Sequence, residues 1–309
     1  FAYVFTRLMR ISGAESLSAA SNIFVGVEST LTIKPYLGRM TRSELCTVLT
    51  AGMATVSSNI LAVYVYSLQG EFPTIAGHLV SASIISAPAA LAMSKLALPE
   101  DSVPETLGTN VEPHYEREDG LFEAIINGAE SGVRLIVGIA ALLVAVLGLV
   151  ALLDLFTGGA GGYINGLFGI NVDWSIKGML GYLFYPFTLI IGVSLDDAYA
   201  VSKSIGERSV VTEVVSYRDL ASAVSSGLIT DPRSTILASY ALCGFAHVAS
   251  MAIFVGGLAA LAPGRKKDIA AVGLRALVAA TLACLMTACI AGIFYTGQSA
   301  ILGASVVSY

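Results

Sequence analysis

Two acids stand where acids are costly. Glu28 closes a stretch of mostly small and apolar residues, Gly13–Ile33, that also carries Glu15, and Glu213 sits in the apolar-flanked segment Ala198–Leu220. Farther along, His247 and Ser250 stand three apart in a long apolar run, a spacing that puts both on one helix face and aims both at one ligand. Glu213, His247 and Ser250 name the atoms needed for nucleophilic hydrolysis. No nucleophile-elbow or zinc-protease pattern accompanies them, and plain ligand binding fits the same spacing. Glu28, Glu213 and His247 can each carry a proton as well.

The elements that must hold these groups are set by composition. The 309 residues are 55% hydrophobic and only 13% charged, with a mean hydropathy of +0.78. Soluble domains hold about twice that share of charge, so an ordinary soluble enzyme is excluded. A net charge of −5 offers no basic surface, so nucleic acid is not an expected partner. Cys46, Cys243, Cys284 and Cys289 show no metal-ligand spacing and read as reduced packing residues. Phe1–Arg10 is basic but too poor in apolar residues for a signal peptide. Gly158–Gly162 has no Lys-Ser/Thr after it, so it is no nucleotide loop; it reads as a flexible turn, and no organic cofactor is expected.

Crossing the hydrocarbon core takes about 20 apolar residues as a helix. Leu45–Gly70, Phe72–Ser94, Leu135–Leu153, Gly178–Leu195, Ser234–Gly264 and Ala276–Tyr309 are free of the four charged residue types, which predicts five or six membrane passes. They lack the period-two alternation of a membrane barrel. The fold class expected is therefore all-α, a polytopic membrane protein. Gly13–Ile33 and Ala198–Leu220 carry too much charge to face lipid; either they lie outside the bilayer or they are half-membrane hairpins facing a protein-lined cavity.

An internal repeat favours the hairpins. Ala51–Ser58 matches Cys243–Ser250 at Gly, Ala, Val and the final Ser. Each copy interrupts a long apolar segment, follows an acid-bearing hairpin segment and precedes a further span. Two inverted halves, each a re-entrant hairpin, an interrupted helix and a helix, form the pattern of a secondary transporter. The units expected are residues 1–120 as the first repeat, 121–177 as a scaffold span with an outer loop, and 178–309 as the second repeat. The acid-rich Pro99–Gly120 stretch reads as a solvated cytoplasmic connector. With Lys34–Arg42 and Arg265–Lys267 inside, most of the 17 basic residues are cytoplasmic, and the two hairpins enter from opposite sides.

Five motifs then resemble one known family. They are Ser12–Ala20 with Asn22–Gly26, Lys34–Leu37 with Met40–Leu45, Ser86–Ala89, Ala241–Ala246 and Ala262–Ala270. Together they resemble the concentrative nucleoside transporters over nearly the whole chain. The resemblance implies a homotrimer in the plasma membrane, or the inner membrane of a bacterium. It also implies cation symport of nucleosides by an elevator-like movement. About three spans that the family carries before the first hairpin precede Phe1 in that comparison, so the chain is expected to lack the N-terminal scaffold helices.

The resemblance also implies site residues. The family's Gly-Gln-Thr-Glu motif reads Gly26-Val27-Glu28 here, which assigns Glu28 to the nucleobase and replaces an amide and a hydroxyl with Val27. Thr212-Glu213 stands where the family has Asn-Glu, and a carboxylate accepting from two adjacent hydroxyls suits a ribose. Phe245-Ala246-His247 followed by Ser250 stands where the family has Phe-Ala-Asn and Ser; Phe245 would stack on sugar or base. Sodium is the implied coupling ion, with protons as the alternative. Its ligands map to the Asn22 side chain, the Val25 carbonyl, and side chain and carbonyl at Asn59 and Ile60. An intramembrane hydrolase and a passive channel are the competing classes.

Overall fold

The structure is a computed structural model describing residues 1–70, 72–115 and 120–297. Its described residues form helices and no strand; Ser12 and Leu107 make one isolated bridge. The order of elements repeats. In the first half come α1 (Ala2–Met9), α2 (Gly13–Val25), a 3-10 stretch (Gly26–Ile33), α3 (Arg42–Ala54), α4 (Ser58–Leu68) and α5 (Ile75–Ala97). After the long α6 (Leu121–Phe168) come α7 (Ile176–Ile190), α8 (Ala198–Arg208), α9 (Glu213–Ser225), α10 (Pro232–Leu242), α11 (Val248–Leu261) and α12 (Lys266–Ile293). Each half thus runs helix, hairpin, interrupted helix, helix, as the hydropathy pattern predicts.

Local chemistry sets the boundaries. α2 and α3 each begin with a capping box, Ser12 with Glu15 and Thr41 with Glu44, which satisfies orphan N–H groups at both helix starts. The two boxes touch: Ser12 Oγ donates to Glu44 Oε1 at 2.6 Å. The 3-10 stretch packs back against α2 as the second arm of the first hairpin, and α8 packs against α9 as the second hairpin. The first hairpin reverses at Gly26, whose φ of +73° is a left-handed conformation that glycine adopts without a Cβ clash.

Among the described residues, three helices are long and apolar enough to cross a membrane: α5, the Val144–Phe168 part of α6, and the Pro263–Ile293 helix. α5 and α12 pack together and form the spine of two cores. Ala87–Leu91 of α5 and Ala276–Cys284 of α12 join a core with α2, α3 and α11. Ile75, Leu79 and Ala82 of α5 and Leu285 and Ala288 of α12 join a second core with α8, α9 and α10. Buried Ala276, Ala279, Ala280 and Ala283 let neighbouring backbones approach α12 closely.

Three expectations change. The glycine run Gly158–Gly162 is not a turn but lies inside α6, which at 48 residues is about 72 Å long. The small glycine face admits Trp174, which packs against Gly161 and donates to Asn165 Oδ1 at 3.0 Å. The last span begins at Lys266 rather than Ala276, because the basic turn belongs to the first turns of the helix; residues 298–309 of that apolar stretch lie outside the described residues. The connector, of which residues 116–119 also lie outside, is not freely solvated. Thr106 accepts from Gly13 N at 2.9 Å through its carbonyl, and His114 N donates to the Thr32 carbonyl at 2.9 Å. The unpaired N–H groups at the start of α2 supply the reason: the connector satisfies them and straps the first hairpin.

Candidate functional site

Each hairpin docks on the break of the interrupted helix that follows it. In the first half, Asn22 of α2 donates through Nδ2 to the Ala51 carbonyl at 2.9 Å and also contacts Thr55 Oγ1. Ser29 from the returning arm donates to Asn22 Oδ1 at 3.2 Å. In the second half, Val248 N, the first residue of α11, donates to the Ser209 carbonyl at the hairpin tip at 3.2 Å. The breaks themselves, Thr55–Ser57 and Cys243–His247, approach at Gly244, where an added Cβ would stand 2.9 Å from the Ala54 carbonyl.

A cavity of about 400 Å³ opens between the first hairpin and the two breaks, with α6 along one side. Glu28 is exposed within it, Thr55 and Ser57 line the first break, and Phe245 lines the second. Its other walls are mainly apolar, Ile60, Ile253 and Phe254 among them. A few polar groups converging in an apolar cleft of this size are the usual make-up of a small-molecule site.

Beside the cavity lies a buried polar cluster. Glu213 is 2% exposed and His247 is 1% exposed, with His247 Nε2 3.5 Å from Glu213 Oε2. Glu213 is the first residue of α9, where the helix dipole favours negative charge. Ser250 N donates to His247 Nδ1 at 3.2 Å, so the neutral imidazole carries its proton on Nε2 and presents it toward Glu213. Neither Glu213 Oε2 nor His247 Nε2 completes a hydrogen bond among the described residues. The Phe245 ring lies edge-on 4.7 Å from the His247 ring and also lines the cavity.

The predicted site residues therefore fall into two groups. Gly26, Glu28, Val25, Ile60 and Phe245 share the cavity; Glu213, His247 and Ser250 share the buried cluster, with Thr212 half-buried just before α9. The side chains of Val27 and Asn59 lie outside what the structure describes. His247 and Ser250 do not share a helix face: His247 is the N-cap of α11 and pairs with Ser250 in a reciprocal capping box. Ser250 Oγ donates to the His247 carbonyl at 2.7 Å, not to the imidazole, which removes the nucleophile–base contact that hydrolysis needs. Glu213 pairs with His247; neither Arg208 nor Arg218 is within ion-pair distance of it among the described residues.

Asn59 and Ile60 also move in meaning. The break falls at Thr55–Ser57, so both sit inside α4, where backbone carbonyls are committed to helix bonds. At the break itself the Thr55 hydroxyl donates to the Ala51 carbonyl, the Val56 carbonyl accepts from Ser83 Oγ at 2.8 Å and the Ser57 carbonyl accepts from Leu61 N at 2.8 Å; sequence reasoning quoted Thr55, Val56 and Ser57 within the repeat but assigned them no role. Arg208, at the end of α8, is in sequence a candidate ion-pair partner of Glu213, and the structure does not pair the two. It is fully buried and none of its guanidinium nitrogens is hydrogen-bonded among the described residues.

Comparison with known proteins gives consistent matches. Residues 78–292 match the family described as Na+ dependent nucleoside transporter, C-terminus. The chain is 40% identical over 299 residues to Solute carrier family 28 member 3 of Mus musculus, covering 92% of this chain and 41% of that protein. It is 38% identical over 295 residues to the uncharacterized transporter YutK of Bacillus subtilis (strain 168), covering 94% and 69%. Among solved structures it is similar to CNTnw in an inward-facing substrate-bound state, with a TM-score of 0.79 and 35% identity over 97% of this chain and 69% of that one. The chain thus spans less than half the length of its mammalian relative.

Proposed function

This chain belongs to the Na+ dependent nucleoside transporter family, and we propose that within its full-length protein it moves nucleosides across a membrane together with sodium. It is a multi-pass membrane protein of a transporter family, not an enzyme. The reading rests above all on one observation: the cavity of about 400 Å³ where the first hairpin meets both helix breaks, with Glu28 and Phe245 on its lining.

In this reading the base lies in the cavity. Glu28 accepts from its edge, Gly26 and Val27 bring hairpin backbone close, and Phe245 stacks on a ring. The ribose reaches the buried cluster once Phe245 gives way. Glu213 then accepts from two hydroxyls, His247 donates through Nε2, Thr212 adds a hydroxyl, and Ser250 holds the imidazole in place. A diol suits Glu213 Oε2, which lacks a completed hydrogen bond.

Sodium needs oxygen donors. The Asn22 side chain and the Thr55 hydroxyl, which are in contact, supply two such oxygens, and the Val25 and Thr55 carbonyls at the hairpin turn and the helix break supply two more. A half-turn of the Asn22 amide presents its oxygen to that set. This set is favoured over the Ile60 carbonyl, which belongs to α4.

The division into residues 1–120, 121–177 and 178–309 supplies the moving parts. The two hairpins enter the membrane from opposite sides and carry the site in an elevator-like step against α6. A trimer, assembled through scaffold helices of the longer protein, resides in the plasma membrane, or in the inner membrane of a bacterium. Equilibrium binding of labelled uridine to the purified full-length protein tests the site. Binding that requires sodium and fails with choline supports the reading; binding indifferent to sodium opposes it.

A further inference from the structure

We propose that Ser57 is a nucleobase-reading residue, whose hydroxyl and the Glu28 carboxylate together hold a base edge that offers a hydrogen-bond donor beside an acceptor. This rests on the reading of the cavity as the nucleoside site.

Among the described residues, three polar side chains line the cavity: Glu28, Thr55 and Ser57. Thr55 is already engaged, since its hydroxyl donates to the Ala51 carbonyl at 2.9 Å and contacts Asn22. Ser57 is not. It is the N-cap of α4, the position where a serine hydroxyl ordinarily accepts from the helix start, yet it makes no such bond. It is only 9% exposed, and what exposure remains is toward the cavity. A hydroxyl left unused at a cap, on the lining of a cleft, is free to bond a ligand there.

Ser57 and Glu28 border the same small space. A Cβ built on Gly26 would stand 3.1 Å from Ser57 Oγ and 3.4 Å from Glu28 Oε2. The absence of a side chain at Gly26 therefore leaves that space open to whatever the two groups hold. Their chemistry is complementary. An ionised carboxylate only accepts, whereas a hydroxyl also donates. Glu28 takes the N–H of a base edge, and Ser57 donates to the ring nitrogen or carbonyl next to it. Cytosine, uracil and adenine all present such a pair, so the two residues bind bases in general and reject rings in which the acceptor is missing. The apolar walls at Ile60 and Phe254 keep water from substituting for Ser57.

The test compares cytidine with 3-deazacytidine, in which the acceptor nitrogen is replaced by C–H, as competitors of labelled uridine uptake by the full-length protein. Wild type is expected to prefer cytidine by about three- to tenfold, the worth of one hydrogen bond. Ser57→Ala should remove most of that preference, and Ser57→Thr should keep it. Because the hydroxyl caps nothing, Ser57→Ala should reach the membrane at the wild-type level. A Ser57→Ala protein that still prefers cytidine overturns the Ser57 assignment alone, as does a wild type with no preference between the pair. A wild type that takes up no nucleoside overturns the reading of the cavity and this inference with it.

Discussion

His247 Nε2 and Glu213 Oε2 lie 3.5 Å apart between two buried side chains, in contact range but without a completed hydrogen bond. Ser250 fixes the imidazole from behind, so the proton on Nε2 faces the carboxylate. In the nucleoside reading a sugar hydroxyl would bridge the pair, accepting from His247 and donating to Glu213. Charge-assisted bonds of this kind contribute about 1.5–3 kcal/mol each.

Glu213→Gln keeps the shape and removes the charge. Uridine affinity should fall by about one to two powers of ten, since 1.4 kcal/mol is a factor of ten. The loss should be smaller for 2′-deoxyuridine and 3′-deoxyuridine. Equal weakening of all three, at equal membrane levels, would assign Glu213 a structural role only.

The two accounts of the cation separate at single positions. Thr55→Val, which deletes a hydroxyl in contact with Asn22, should raise the sodium concentration for half-maximal uptake severalfold, as should Asn22→Ala. Asn59→Ala should change it little, because Asn59 sits within α4. A large shift with Asn59→Ala and none with Thr55→Val would restore the ligand set that the family resemblance implied. Uptake that ignores sodium and collapses with a proton uncoupler would reassign the coupling to protons.

Much of the fold was legible because hydropathy is a strong signal over spans of this length, and because charge inside apolar segments leaves few placements. The breaks were legible as interruptions but not to the residue. Thr55 and Ser57 stood inside the repeated Ala51–Ser58 run, yet only the structure shows that Thr55 meets Asn22 and that Ser57 caps nothing. Three-residue spacing was ambiguous in principle: a shared helix face and a capping box both need it, and His247 with Ser250 form the second. The glycine run in α6 misled because each glycine costs a helix about 1 kcal/mol. Where lipid can satisfy no backbone group, the helix is kept nonetheless. The approach of Glu213 to His247 is a tertiary contact and left no mark in either local sequence.

Gly26→Ala tests the reversal of the first hairpin. A Cβ there would be 3.0 Å from Ser57 Cβ on a backbone with φ of +73°. Strain and contact together should cost about 1–3 kcal/mol and shrink the cavity. Nucleoside uptake should drop at least tenfold, while Gly70→Ala, where a Cβ meets nothing within 4 Å, should leave uptake near wild type. Unimpaired uptake by Gly26→Ala would mean that the ligand does not approach this turn.

In the loop before α7, Asp173 Oδ2 lies 2.6 Å from Lys203 Nζ, which ties the second hairpin to that loop. Burial pushes the Asp173 carboxyl upward, but bonds from Lys203 and Ser175 outweigh it and hold the pKa at about 2. The folded value lies below the unfolded one, so the contribution is complete above the ordinary Asp range of about 4 and is lost as pH falls toward about 2. Asp173→Asn should lower Tm modestly at neutral pH, since the pair is partly exposed, and the difference from wild type should shrink as pH drops through that window. A difference that stays constant down to the acid limit would show that the charge is not what matters.

Concentrative uptake tests the central claim most directly. The full-length protein is reconstituted into liposomes, and radiolabelled uridine is followed with a sodium gradient directed inward and with sodium equal on both sides. The account predicts that the gradient drives internal uridine above the external concentration, that a sodium ionophore abolishes this, and that Glu213→Gln accumulates far less. Uridine that only equilibrates, at the same rate with and without the gradient, would contradict it.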